Sequence, residues 1–164
     1  MGKGKFNSSR RLGRILAFQG LYSWDVGGIS KEDVLSLSWA QEDDVEDGQE
    51  EDSKEPVSME TSVFARVLID GAINNQEKID SLISGHLAGW EFNRVNKVSM
   101  AILRMSVYSL LFQPEIDSSI VINEAVEIAK QFGQDDSFRF VNAVLDNIKK
   151  SFKNAENSGS TDGK

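Results

Sequence analysis

The sequence predicts an all-α fold, a bundle-like domain of six or seven helices. Apolar residues recur at intervals of three and four along most of the chain, as one buried face of a helix requires. No stretch alternates convincingly with the period of two that is typical of a strand. With 164 residues and 40% hydrophobic content, the chain is long enough to build a hydrophobic core.

The first two helices are delimited by serine and glycine. Helical spacing begins at Ser9 and stops at Gly27-Gly28, and a short second helix begins at Ser30. Residues 1–8 are small, polar and basic, so we expect a disordered tail there.

An acidic insert, residues 41–58, follows these helices. Nine carboxylates and the single Lys54 lie between Glu42 and Glu55, which accounts for the whole formal net charge of −8. The rest of the chain is neutral. A segment so polar cannot bury enough surface to offset its ordering entropy, so we interpret it as a mobile loop. The negative charge of this insert also suggests that it competes with a nucleic-acid ligand for a basic site of the protein. The alternative is a solvated loop without such a role.

Helical periodicity resumes near Met59 and continues to Gly89, with a break indicated at Asn74-Asn75. The apolar stripe of its first half consists of Val63, Phe64, Val67, Leu68 and Ala72.

The next helix is apolar on nearly every side and is therefore predicted to be central. Asn93 is its expected N-cap, and Pro114 stops it. Arg104 lies on this helix and needs a carboxylate or carbonyl partner if it is buried. Glu124 is one candidate.

Two further helices complete the pattern. One starts at Asp117 or Ser118 with Gly133 after its end, and the last is capped by Asp136. The tail at 154–164 is rich in Ser, Gly and Asp, and we expect it to be disordered. The predicted helical domain is therefore a single one, residues 9–153.

Several kinds of chemistry are disfavoured by composition. There is no cysteine, and the single histidine, His86, cannot build a metal site alone. No apolar run approaches the roughly 20 residues that cross a bilayer, and none follows the N-terminus as a signal peptide would require. We therefore expect no catalytic residue, no metal and no cofactor. We also expect no membrane partner and a cytoplasmic location. These expectations together favour a function in binding.

The distribution of charge along the chain indicates which class of ligand the protein binds. The first 14 residues carry five cations, and no acid precedes Asp25. These cations are Lys3, Lys5, Arg10, Arg11 and Arg14. Arginine forks match phosphate oxygens, so the cluster predicts contacts to nucleic acid. Gln19 and Tyr22 extend the same helix, where Tyr22 is either a core-edge residue or a base contact.

A second cluster lies at the start of the last helix. Asp136 and Ser137 are ordinary capping residues, but Phe140 stands at the edge of the apolar stripe beside Arg139. An aromatic ring near arginine suits stacking on a base. We therefore predict RNA contacts from Asp136, Ser137, Arg139 and Phe140.

Two stretches together resemble the NusB family. The first is RRLGRILAFQGLYSW at 10–24, with an Ala-x-Gln-x-Leu-Tyr core. The second lies within 95–145 and contains ILR, VINEAVEIAKQFG and DSFRFVNAVLD. The resemblance covers about two-thirds of the chain. It implies two small helical sub-bundles, boxA-type RNA as ligand, the small-subunit ribosomal protein NusE as partner, and action in transcription elongation complexes on ribosomal RNA operons.

Two departures from that family pattern matter. The insert at 41–58 is longer than usual. Ser99 replaces an acid that faces the ribosomal protein in some members, so the resemblance leaves that contact weaker or differently built. Oligomeric state is not determined by the sequence, since the resemblance allows monomers and dimers.

Two alternatives remain. One is the RNA-binding module of an RNA methyltransferase, disfavoured because the sequence has no glycine-rich cofactor segment and no catalytic cysteine. The other is a helical adaptor that binds only proteins, disfavoured because the first 24 residues contain no acid.

Overall fold

The computed structural model describes residues 3–40 and 57–159, with side chains from 9 to 40 and from 57 to 155. In those ranges it contains seven α-helices and two short 3-10 turns and no strand. The helices are α1 (Lys3–Gly27), α2 (Lys31–Ser36), α3 (Met59–Asn74), α4 (Gln76–Ser84), α5 (Lys97–Phe112), α6 (Ser118–Phe132) and α7 (Ser137–Gly159). The predicted all-α fold is confirmed.

The chain divides into two compact units, residues 1–73 and 74–164. These two compact units are in keeping with the two small sub-bundles that the resemblance implies, while the single domain over 9–153 stays a prediction. The division falls where α3 ends at Asn74 and α4 begins at Gln76, next to the asparagine pair that predicted a break.

In unit 1, helix α1 packs against α2, and both meet α3. Buried aliphatic and aromatic residues on one side of α1 make the core, with Phe18 and Leu21 among the largest. The guanidinium of Arg66 on α3 donates to the carbonyl of Leu35 at 2.8 Å, which joins α3 to the end of α2. Lys31 and Asp70 add an ion pair of 2.9 Å between the same two helices.

In unit 2, helix α5 is central. Nearly all its residues from Ser99 to Val107 are buried, because α4, α6 and α7 all pack against it. Its N-cap is Asn96, whose side chain accepts from the N–H groups of Val98 and Ser99. The predicted cap, Asn93, instead lies in a 3-10 turn, because the helix starts one turn later than the apolar pattern suggests.

Helix α6 begins as the sequence predicts. The carboxylate of Asp117 accepts from the backbone N–H and the hydroxyl of Ser119, both at 2.8 Å. These hydrogen bonds lower the pKa of the Asp117 carboxyl, since they favour its ionised form.

Helical structure extends into both segments that the sequence predicts to be disordered tails. Helix α1 already begins at Lys3, so residues 3–8 are helical, and α7 continues through Gly159. Nearly all of the acidic insert, residues 41–56, lies outside the described residues.

One buried ion pair joins α4 to α5. The Nε and Nη2 atoms of Arg104 donate to the two carboxylate oxygens of Asp80 at 2.9 and 3.0 Å. Arg104 is only 5% exposed. The predicted need for a carboxylate partner is met by Asp80 on α4, a residue that the sequence did not single out.

We predict that Asp80→Ala lowers the free energy of unfolding by about 3 kcal/mol, because the guanidinium stays buried without this partner. The matched control is Asp146→Ala, which removes the exposed pair with Lys150 and is expected to cost less than about 1 kcal/mol. Urea denaturation of both variants measures the difference. Equal losses would contradict this role of Asp80.

Candidate nucleic-acid interface

The cationic face of unit 1 is organised around the ring of Phe64, on α3. The guanidinium carbon of Arg10 lies 5.7 Å from the centre of this ring, and that of Arg14 lies 5.2 Å from it. Both distances are within the range of cation–π attraction. Arg10 and Arg14 therefore share one face of α1, as their spacing of four predicts.

Gly13 permits this approach of α3 to α1. A Cβ atom at Gly13 would lie 2.7 Å from Cδ1 of Phe64 and 3.4 Å from the carbonyl of Thr61. Any larger residue would push the ring away from α1 and so from the two arginines. The glycine in the Arg-Leu-Gly-Arg run thus has a packing role.

The two arginines differ sharply in exposure. Arg10 and Arg11 are exposed, whereas Arg14 is only 4% exposed. The expectation that Arg14 lies open to phosphate is therefore wrong for this structure, since its side chain is covered where α1 packs. Its charge still contributes to the local field, but Arg10 and Arg11 are the accessible forks.

Gln19 and Tyr22 lie further along α1. Gln19 is half-buried and Tyr22 is 37% exposed, so the tyrosine has both core-edge and open character. Arg11 and Tyr22 are about three turns apart and lie on the same side of the helix. Lys5 is on α1, but its side chain lies outside the described part.

The second cluster belongs to unit 2, at the turn between α6 and α7. Asp136 has φ of 64°, in the left-handed region that aspartate tolerates better than most residues. Its carbonyl accepts from the N–H of Arg139 at 3.0 Å, and its carboxylate lies 3.5 Å from Nε of Arg139. Asp136 thus precedes α7 as predicted, but in a turn conformation instead of the extended one of an ordinary N-cap.

Ser137 is packed into the base of this turn. A Cβ atom at Gly133 would lie within 2.6 Å of the Ala129 carbonyl and closer still to the Ser137 hydroxyl. The hydroxyl itself is buried and has no hydrogen-bond partner among the described residues. Gly133 has an extended conformation, not the left-handed one expected of a C′ glycine, so close packing explains why glycine is needed here.

The aromatic neighbours of this turn differ from the predicted ones. Arg139 lies over the ring of Phe138, 5.6 Å from its centre, and Lys130 lies 5.2 Å from the same ring. Phe140 instead meets Trp90 edge to face, with ring centres 5.8 Å apart. Sequence reasoning missed Trp90, because it stands in an irregular segment outside any apolar stripe.

The two clusters thus lie in different units, the arginines in unit 1 and the Asp136 turn in unit 2. Within the described ranges, no group of three or more His, Asp or Glu side chains is placed to hold a metal ion. None of the helices described is both long enough and apolar enough to cross a membrane.

The family model described as "NusB family" matches residues 11–150. The chain belongs to the NusB family. The transcription antitermination protein NusB of Treponema denticola is 46% identical over 140 residues, which cover 85% of this chain and 95% of that protein. NusB of Bacillus licheniformis is 39% identical with the same coverage of both proteins.

Solved NusB structures have the same fold. The structure of T. maritima NusB aligns with a TM-score of 0.69 at 33% identity, and the alignment covers 86% of this chain and 90% of that one. A structure described as antitermination factors NusB and NusE in complex with dsRNA aligns with a TM-score of 0.70 at 25% identity, covering 88% and 98%.

Burial separates the roles of the two stacked arginines. We predict that Arg14→Ala lowers the free energy of unfolding by about 2 kcal/mol, through lost packing and cation–π attraction. Arg10→Ala, the matched control on the same ring, should cost less than about 1 kcal/mol because Arg10 is exposed. Thermal and urea denaturation measure both; the reverse order would refute this assignment.

Proposed function

We propose that this chain is a transcription antitermination factor that binds single-stranded boxA-type RNA together with the ribosomal protein NusE. It acts in the transcription elongation complex, chiefly on ribosomal RNA operons, and has no catalytic activity of its own. The observation that carries the RNA part is the start of helix α1, where no acid precedes Asp25, with Arg10 stacked on Phe64 and Arg11 exposed beside it.

Arg10 is partly ordered before RNA binds, because its guanidinium lies against the ring of Phe64. An exposed arginine loses conformational freedom when it binds a phosphate, and stacking on a ring reduces that loss beforehand. Arg10 keeps its donors accessible while its guanidinium lies against Phe64. The acidic insert accounts for the whole negative net charge, whereas the first 24 residues carry five cations and no acid.

The Asp136 turn supplies the second part of the interface. Single-stranded RNA exposes base faces and edges, which aromatic and carboxylate side chains recognise. Arg139 is exposed and Phe140 is half-buried in this turn, so one offers charge and the other a ring edge. Relatives named as antitermination proteins, and a structure of NusB and NusE in complex with dsRNA, support RNA binding and NusE as a partner.

A protein-only adaptor is the second candidate function. Three apolar side chains on α3 are exposed at intervals of four: Met59, Val63 and Val67. This stripe suits contact with another protein. It does not account for the cations at the start of α1, where no acid precedes Asp25, so RNA binding is the better-supported function.

The test of RNA binding is its dependence on salt. Each neutralised phosphate releases counterions, so the slope of log affinity against log salt concentration reports the number of contacts. We predict that Arg10→Ala weakens binding of boxA-type single-stranded RNA and flattens this slope by about 0.7–1. Filter binding or fluorescence anisotropy over a range of salt concentrations measures it.

The control for that experiment is Lys153→Ala, an exposed cation on α7 that removes the same charge elsewhere. Its slope should equal that of the unchanged protein. No measurable binding of single-stranded or double-stranded RNA by the unchanged protein would contradict the proposed function and favour the adaptor.

The ribosomal partner should raise RNA affinity. The accessible cations of α1 supply only limited affinity, and a bound second protein with its own RNA contacts makes part of the binding intramolecular. We predict tighter binding of boxA-type RNA in the presence of NusE than in its absence, by anisotropy titration. Equal affinity in both conditions would show that NusE does not cooperate in RNA binding.

A further inference from the structure

Helices α1 and α3 run in the same direction within unit 1. A Cβ atom at Gly13 would lie 3.4 Å from the carbonyl oxygen of Thr61. One turn pair further along, a Cβ atom at Gly20 would lie 2.9 Å from Cδ1 of Ile69. Residue numbers therefore rise together along both helices, and the start of α3 lies beside the N-terminal half of α1.

The chain enters α3 through a defined cap at Ser58. The Ser58 hydroxyl oxygen accepts from the N–H of Thr61 at 3.2 Å, and the Ser58 carbonyl accepts from the N–H of Ser62 at 3.0 Å. Both are the hydrogen bonds of a serine that caps a helix. Because Thr61 also lies next to Gly13, the cap fixes where the acidic insert ends relative to α1.

The acids of the insert are within reach of the cations of α1. Glu55 is three residues before Ser58, a distance of at most about 11 Å in extended chain. Arg10 is three residues before Gly13 on α1, about 4.5 Å along the helix axis. The parallel direction of the helices places Arg10 on the side from which the chain arrives at Ser58.

The other end of the insert is also held beside α1. A Cβ atom at Gly20 would lie 3.3 Å from Cζ2 of Trp39, next to the last residue described before the insert. Gly20 and Gly13 are about 10 Å apart along the helix axis. The chain between these two points, residues 41–56, has an extended length of about 50 Å. Its length therefore allows it to cover the cations of α1.

The charges of the insert and of α1 are complementary. Nine carboxylates and one lysine lie between Glu42 and Glu55, whereas no acid precedes Asp25. Arg10 and Arg11 are both exposed. A guanidinium binds carboxylate oxygens with the same two-point geometry as phosphate oxygens. The insert therefore offers these arginines the kind of acceptor that an RNA backbone offers.

We propose that the acidic insert binds Arg10 and Arg11 of α1 and competes there with RNA. The inference rests on the proposed RNA binding and adds to it an acidic ligand that belongs to the same chain. Tethering gives a short segment an effective concentration on the order of mM, so a weak interaction is sufficient to occupy this face. RNA then has to displace the insert before it binds α1.

The test removes negative charge from the insert and keeps its length. The variant carries three substitutions close to the Ser58 cap: Glu50→Gln, Glu51→Gln and Glu55→Gln. At low salt we expect it to bind boxA-type single-stranded RNA about 2- to 5-fold more tightly than the control described next, because exposed ion pairs are individually weak. Fluorescence anisotropy measures both affinities.

The matched control changes the net charge equally but in unit 2. It carries Glu77→Gln, Glu115→Gln and Glu127→Gln, three exposed acids outside the Asp136 turn. Any effect of net charge alone is common to both variants. The gain specific to the insert variant should shrink as salt rises, because the Debye length falls from about 30 Å at 0.01 M to about 8 Å at 0.15 M.

A double-mutant cycle shows whether the gain depends on the two arginines. The insert substitutions are combined with Arg10→Ala and Arg11→Ala, and RNA affinity is compared with that of the protein carrying the two alanines alone. If the insert acts on these arginines, neutralising it no longer tightens RNA binding in this background. A gain of the same size in both backgrounds would contradict the proposed contact.

A measurement without RNA tests the contact directly. In the labelled full chain at low salt, the Nε–Hε NMR signals of Arg10 and Arg11 should shift in the insert variant relative to the unchanged protein. The same signals should stay in place in the unit 2 control. Unchanged arginine signals in the insert variant would show that the insert does not bind this face.

The two measurements separate this inference from the proposed function. Equal RNA affinity of the insert variant and the control at low salt would overturn the competition, while RNA binding itself stands. Absence of RNA binding by the unchanged protein would overturn the proposed function and the competition with it. The arginine signals would still decide whether the insert binds α1.

Discussion

Unit 2 depends on the neutralisation of one guanidinium inside a helix that is buried on nearly every side. Asp80 forms a two-point ion pair with Arg104 and so connects α4 to α5. The ring of Phe92 lies 5.9 Å from the same guanidinium, so the irregular segment before α5 is held to it as well. That segment contains Trp90 and Arg94. Arg104 therefore contacts both α4 and the irregular segment before α5.

In unit 1 an aromatic ring also lies beside guanidinium groups, but one of these groups, that of Arg10, is exposed. Helix α1 has to bury one side against α3 and still present cations. Gly13 allows Phe64 to approach, and the ring lies near both the buried guanidinium of Arg14 and the exposed guanidinium of Arg10. In both units the guanidinium of a buried arginine lies near an aromatic ring, Arg14 near Phe64 and Arg104 near Phe92. The proposed function thus draws on the packing of each unit separately.

Much of the fold could be predicted from the sequence, because glycine, asparagine and proline mark helix ends by local chemistry. Gly27, Asn74 and Pro114 all indicated boundaries that the structure confirms to within two residues. The exposure of individual side chains was harder to predict, since it depends on which helices pack against each other. The burial of Arg14 and the openness of Val67 follow from the packing of α1 and α3, which helical periodicity alone does not encode. The positions of the basic helix and of the Asp136 turn were predictable from residue type. Trp90 was not, because only the folded segment before α5 brings it to Phe140.

We propose that RNA binds this chain both on α1 and at the Asp136 turn. The most direct measurement is a titration of the isotopically labelled full chain with boxA-type single-stranded RNA, followed by backbone and side-chain NMR shifts. The account predicts shifts concentrated at Arg10 and Arg11 in unit 1 and from Asp135 to Phe140 in unit 2, with little change on the exposed face of α3. Shifts confined to that α3 face, or no shifts at an RNA concentration that saturates binding, would contradict it.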